Sequence, residues 1–126
     1  MKVLVLGGAG YIGSHMVNYL QSQNIASVVI DDLSTGFVSS KAGVAFYQGD
    51  FANQELLQKV FKEHQIDAVM HFAASSQVGE SVLQPEKYYS NNLFKTQVLL
   101  NIMRQHQVIN IVFSSTAAVY GSPKQA

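Results

Sequence analysis

Residues 3–15 read VLVLGGAGYIGSH: four apolar residues, a glycine-rich turn, and the start of a helical apolar pattern. The turn fits G-x-G-x-x-G from Gly8, and equally G-x-x-G-x-x-G as Gly7, Gly10 and Gly13. Glycines let a backbone turn sharply and approach a pyrophosphate, and a helix starting directly behind them presents unpaired N–H groups to the anion. Any tight strand-to-helix connection also favours glycine, so context has to separate the two readings. A dinucleotide site needs a strand before the turn, a helix after it, and an acidic residue ending the next strand. Asp31 meets the last condition, eighteen positions beyond Gly13. A carboxylate there accepts hydrogen bonds from an adenosine ribose and repels a 2′-phosphate. Asp32 adds a second negative charge, and no Lys or Arg occurs between Lys2 and Lys41 to offset them. The pattern predicts NAD rather than NADP.

Outward from this stretch, short apolar runs recur: VLVL (3–6), SVVI (27–30), VAFY (44–47), DAVMHF (67–72) and INIVF (109–113). They are continuous rather than alternating, which suits strands buried on both faces. Helical patterns separate them. Residues 11–23 carry Ile12, Met16, Tyr19 and Leu20 on one stripe, and residues 53–63 carry Leu56, Leu57, Val60 and Phe61. Residues 85–106 carry Tyr89, Leu93, Leu100 and Met103, with Pro85 suited to a first helical turn. Strands alternating with helices imply right-handed crossovers and a parallel sheet. The expected architecture is one α/β domain, a Rossmann-type parallel sheet of about five strands with helices on both faces.

The composition narrows the function classes. The 126 residues, 48% of them hydrophobic, supply one core and are too few for two domains. Eight Lys and Arg balance eight Asp and Glu, leaving no basic face for nucleic acid or an anionic membrane. Without cysteine there is neither a disulfide framework nor a thiolate metal site, and the four histidines show no H-x-x-x-H pair. No run is long enough for a signal-peptide core or a membrane span, so a cytoplasmic location is expected.

Six blocks then occur in order: GGAGYIGSH (7–15), DDLSTG (31–36), GDF (49–51), HFAASSQVGESV (71–82), YYSNN (88–92) and FSSTAAVYG (113–121). Together they resemble the extended short-chain dehydrogenase/reductase family, and within it the UDP-glucose 4-epimerases; the resemblance covers essentially the whole chain. It implies that Gly7, Gly10 and Gly13 form the turn, with Tyr11 and Ile12 over the NAD pyrophosphate. Asp31, Asp32, Leu33, Ser34, Thr35 and Gly36 would follow the adenosine ribose, and Asp50 and Phe51 would meet the adenine edge. Phe72, Ala73, Ala74, Ser75 and Ser76 would line the cofactor after the fourth strand, and Asn91 would reach it from the long helix. Thr116 matches the hydroxyl that hydrogen-bonds the reacting sugar oxygen. Epimerases commonly carry lysine where Ser76 stands, and many have Asn where this chain has Asp32. The activity implied is interconversion of UDP-glucose and UDP-galactose by transient oxidation at C4 and hydride return.

A second short stretch invites a catalytic reading. Tyr120 to Lys124, YGSPK, has the Tyr-x-x-x-Lys spacing by which this superfamily acidifies its catalytic tyrosine. That spacing works on a helix, where residues four apart share a face. Gly121 and Pro123 oppose helical geometry here, and the resemblance aligns Tyr120 with the end of the fifth strand's block. The stretch reads as a coincidence. By the resemblance, the true base, its lysine and a C-terminal nucleotide-sugar domain lie beyond Ala126, so the chain is expected to be a truncated, cofactor-binding part that binds NAD without turnover. The complete enzyme would bind a UDP-sugar and form a homodimer, and the part alone is expected to self-associate. Three alternatives stand beside this reading: another nucleotide-sugar epimerase, a 4,6-dehydratase, and a non-catalytic dinucleotide-binding sensor. Dehydratases typically place Asp-Glu after the threonine, where this chain has Ala117 and Ala118, and a sensor needs no sugar-facing Thr116.

Overall fold

Val3, Leu4, Val5 and Leu6 are all buried, so the first strand has no solvent face. It is β1 (Lys2–Leu6), the central strand of five. In the computed structural model, which describes residues 1–36, 43–75, 78–116, 119 and 121, the others are β2 (Ala26–Asp31), β3 (Ala45–Gln48), β4 (Ala68–His71) and β5 (Asn110–Phe113). The order is β3-β2-β1-β4-β5, every pair parallel. Because side chains alternate along a strand, Leu4 and Leu6 pack on one face with Val28, Ile30 and Val69, beneath α2 (Gln54–His64) and α5 (Lys95–Gln105). Val3, Val5 and Val29 pack on the other with Val17 and Leu20 of α1 (Tyr11–Ser22). The Rossmann-type expectation holds, with the five predicted strands and three predicted helical regions in place. Among the described residues no helix is long and apolar enough to cross a membrane.

Two of the three predicted helical stripes are rotated from where large apolar side chains put them. On α1 the buried residues are Gly13, Val17 and Leu20, while Ile12 and Tyr19 are exposed. The face toward the sheet is chosen by the residue that allows closest approach, a glycine that carries no weight in an apolar count. In the 85–105 region, α4 (Pro85–Tyr88) runs into a π-helical segment, Tyr89–Phe94, and then into α5. Each π-helical residue advances by a smaller angle than an α-helical one, so a 3.6-residue count carried through it loses phase. Leu99, Ile102 and Met103 are buried, while Tyr89, Leu93 and Leu100 face outward. A short helix, α3 (Val78–Leu83), falls within a stretch read from sequence only as a motif block.

The topology places the functional edge. β1 is flanked by β2 and β4, and the chain after β1 runs outward to β2 while the chain after β4 runs the other way to β5, which opens a crevice between the C-terminal ends of β1 and β4. The register pairs Leu6 with both Ile30 and His71, and so brings the residues after these strands level. Backbone bonds continue the ladder past the strand ends: Gly7 N–H donates to Ile30 O and Phe72 N–H to Leu6 O, each at 2.9 Å.

Candidate functional site

Gly7 begins the wall of the crevice with φ +76°, a conformation that favours glycine. A Cβ on it would lie 2.8 Å from Ala73 N, so the turn packs backbone to backbone against the segment after β4. Gly13, in the first turn of α1, sits closer still: its Cβ would fall 2.1 Å from Gly7 O. At Gly10 the nearest atom to a notional Cβ is Gly7 O at 3.4 Å, and the residue lines the cleft. Gly10 is also the N-cap of α1, and no side chain caps that helix; its first turn holds no acidic residue. Free N–H groups, a helix dipole and an open approach meet at one place, which is the chemistry that holds a phosphate.

The cleft has a volume of about 480 Å³ and extends from this turn along the C-terminal edge of the sheet. Asp31, 8% exposed, ties the turn to its neighbour. Its Oδ2 accepts from Ala9 N–H at 2.9 Å and its Oδ1 from Leu33 N–H at 2.8 Å. Each carboxylate oxygen has a further lone pair, so Asp31 can hold the loop and still accept from a ribose hydroxyl. Asp32 accepts from Ser34 N–H at 2.9 Å. Partial burial pushes its carboxyl up, but hydrogen bonds from the Ser34 side chain and backbone and the charge of Lys95 outweigh this, leaving it below the usual carboxylate range.

Opposite stand the segment after β4 and the helical wall. Phe72, Ala73, Ala74 and Ser75 line the cleft, as does Asn91. Asn92, its neighbour, clamps the two walls: it accepts from Ser75 N–H and donates to Ser75 O, both at 2.9 Å. Behind it, Thr96 Oγ1 donates to Asn92 O and lies 3.1 Å from His71 Nε2. Since the hydroxyl proton is already given to Asn92, His71 must donate from Nε2, which leaves Nδ1 as a buried acceptor with no hydrogen-bond partner. Burial pushes the His71 imidazolium pKa down to about 4.

Of the sequence-predicted residues, the cleft gathers Gly7, Gly10, Asp31, Asp32, Ser34, Thr35, Phe51, Phe72–Ser75 and Asn91. Tyr11 and Ile12 are exposed on the first turn of α1. Gly13 and Gly36 act through packing, Gly36 against Ala9, where its Cβ would meet the carbonyl oxygen at 2.5 Å. Leu33 contributes its N–H to Asp31. Asp50 does not line the cleft directly; it accepts from Ala52 N–H and pairs with Lys95 beside it. Thr116 is exposed on the segment after β5, its carbonyl accepting from Val119 N–H at 3.2 Å. Ser76, Ala117, Ala118, Tyr120 and Lys124 lie outside the described residues. Lining residues that sequence reasoning missed are Ile30, Gly49, Glu80, Lys87, Tyr88 and Lys95. The last three come from the helical wall, at spacings around Asn91 that a helix carries to the same side. Among the described residues no cluster of His, Asp or Glu could hold a metal ion.

A phosphate-ready helix terminus, an acidic strand end and a parallel sheet whose strand order reverses beside them agree with what sequence comparison finds. Residues 3–126 match the model of the NAD dependent epimerase/dehydratase family. The chain belongs to that family. Among its relatives is a UDP-glucose 4-epimerase of Halalkalibacterium halodurans, 52% identical over 125 residues, covering 99% of this chain and 37% of that protein. Solved family structures superpose closely. The UDP-glucose 4-epimerase of Brucella ovis in complex with NAD gives a TM-score of 0.89 at 47% identity, over 98% of this chain and 38% of that one. The Bifidobacterium longum enzyme in complex with NAD⁺ and UDP gives 0.91 at 40%, over 99% and 40%. The chain thus spans well under half the length of these relatives.

Proposed function

We propose that residues 1–126 form the NAD-binding domain of a UDP-glucose 4-epimerase. The observation that carries this is the pairing of Asp31 with the glycine turn: a nearly buried carboxylate, bonded to Ala9 N–H, faces the same cleft as the uncapped start of α1. That arrangement holds one ligand with a diphosphate in its middle and a ribose at its end. The residues present fit the cofactor, Gly10 leaving the helix start open and Asp31 keeping acceptor capacity. When bound, NAD supplies transient oxidation at the sugar C4.

The chain's own residues do the following. The first turn of α1 would neutralise the pyrophosphate with backbone N–H groups. Asp31 would accept from the adenosine ribose and, with Asp32, disfavour a 2′-phosphate. Phe51 and Phe72 would flank the bases with apolar surface, and Asn91 would add an amide from the helical wall. Thr116 would orient the sugar 4-hydroxyl, though a threonine hydroxyl is far too weak an acid to serve as its base at neutral pH. The base and the nucleotide-sugar pocket belong, in this reading, to the part of the relatives' length that this chain does not match. In the complete enzyme the second ligand is a UDP-sugar, and the location cytoplasmic.

Calorimetry on the 126-residue chain tests the reading. NAD should bind at least about tenfold more tightly than NADP, a difference of about 1.4 kcal/mol, and equal affinities would sink it. Conversion of UDP-galactose to UDP-glucose with added NAD⁺ should be undetectable. Loss of a general base costs roughly 10²–10⁴-fold, and loss of the sugar pocket removes positioning as well. Turnover abolished by Tyr120→Phe or Lys124→Ala would instead make YGSPK catalytic.

A further inference from the structure

The sequence places no cation near Asp31 and Asp32, but the fold does. Lys95 opens α5, and its ammonium lies 2.5 Å from Asp50 Oδ2 and 5.9 Å from the centre of the Phe51 ring. Its side chain is only 28% exposed, and it lines the same cleft as Asp31, Asp32 and Ser34. The other lining ammonium, Lys87, is held 2.6 Å from Glu80, whose second oxygen takes the Tyr88 hydroxyl, so that cluster is neutral within itself. Lys95 is different. Against it stand three carboxylates, and Asp50, its partner, already accepts from Ala52 N–H at 2.8 Å. The Lys95 charge is felt at Asp32, where it helps hold the carboxyl ionised.

We infer that Lys95 is a specificity-determining residue of the cofactor cleft, an ammonium delivered from the helical wall that offsets the acidic strand end and sets how strongly a 2′-phosphate is refused. The inference rests on the proposed dinucleotide function and deepens it. A 2′-phosphate brings close to two further negative charges to the ribose end of the cleft. Asp31 and Asp32 repel it, and Lys95 attracts it across the cleft. NAD carries no charge at that position, so removing the ammonium acts mainly on NADP. The ratio of the two affinities isolates this effect, because changes in adenine contact or in fold weaken both cofactors alike.

The experiment is calorimetric titration of NAD and NADP into the 126-residue chain and into Lys95→Met, Lys95→Gln and Lys95→Arg. Removing the charge should widen the NAD/NADP affinity ratio by roughly fivefold, the scale of one screened charge interaction. Lys95→Arg keeps the charge and should stay near the wild-type ratio. Lys95→Gln keeps a polar side chain and gives the same readout if the methionine variant does not fold. An unchanged ratio in the neutral variants, with NAD still binding, would overturn the inference and leave the cofactor function standing. A ratio widened equally by arginine would overturn it too, since shape rather than charge would then be responsible. No NAD binding by the wild-type chain would overturn the function and the inference together.

Discussion

His71 makes acid sensitivity a quantitative test of the structure. The ring is 2% exposed, wedged between Phe51 and Phe113 at centroid distances of 4.8 and 5.3 Å. Protonating it would place a charged N–H at Nδ1, where no acceptor exists, so burial lowers its pKa from 6.5 to about 4. A basic group with a depressed folded-state pKa binds fewer protons when folded than when unfolded between those two values. Stability is therefore fully present above pH 6.5 and is lost as pH falls toward 4. Integrated from pH 7 to pH 5, the loss amounts to roughly 2 kcal/mol, out of a total of about 5–15 kcal/mol for a domain of ordinary stability. Carboxylates titrate in the lower part of this window as well, so the quantity to measure is a difference. Urea unfolding of wild type and His71→Asn, at half-unit steps from pH 7 to 5, should give curves that converge on acidification. The variant starts less stable because it loses the edge contacts with the two phenylalanines, and the wild type falls toward it. Parallel curves, or an NMR titration placing the His71 pKa at 6 or above, would refute the reasoning.

The remaining predictions follow from the same contacts. Gly13→Ala would force a Cβ to within 2.1 Å of Gly7 O and should cost about 3 kcal/mol or more, read as a lowered urea midpoint; an unchanged midpoint would contradict the packing described. Asp31→Ala removes an acceptor from Ala9 N–H and Leu33 N–H, and should lower stability by roughly 2–3 kcal/mol while weakening NAD more than NADP. An unchanged NAD/NADP affinity ratio would show that the carboxylate is not at the ribose. The strand β5 exposes Ile111, Val112 and Phe113, with Ile109 just before it, and pairs with β4 alone among the described strands. Such an edge templates pairing, so light scattering should show mass rising with concentration, and one monomeric species across a hundredfold dilution would count against it.

The parts of the site that were legible in the sequence are those whose partners are close along the chain. A strand, a glycine turn and a helix start occupy one short stretch, and the acidic residue lies one βα unit further on. Hence Gly7, Gly10, Gly13 and Asp31 could be assigned roles before any coordinates. The helical wall was legible only as a helix. Its phase depends on the π-helical segment, which leaves no mark in a hydrophobic count, and its charge depends on Lys95 meeting Asp50 across 45 residues of chain. Counting basic residues near Asp31 in sequence therefore missed the cation that the fold brings there. Tyr89, Leu93 and Leu100, counted in the sequence on one stripe with Met103, are exposed for a related reason. Periodicity reports that a helix has an apolar side, but not which of two surfaces that side meets.

The two walls of the cleft are built from different interactions, and this governs how the site responds to change. The wall formed by the glycine turn and β2 is held by backbone contact, glycine against carbonyl and Asp31 against N–H, with almost no side-chain freedom to absorb a substitution. The opposite wall is held by a relay of side chains: His71 to Thr96, Thr96 to Asn92, Asn92 to Ser75. Lys95 sits next to Thr96 in that relay, and Asn91 next to Asn92. The groups that would touch a ligand from the helical side are thus immediate neighbours of the groups that anchor the helix to β4. Protonating His71 leaves its Nε2–H donation to Thr96 in place but adds a charged, unpartnered N–H at Nδ1 where the ring packs between Phe51 and Phe113, so acid acts at the foot of this relay, two strands away from the acidic wall. Acid should therefore loosen the helical wall before it alters the glycine turn, and the phosphate-binding end of the cleft should outlast the end that carries Asn91 and Lys95.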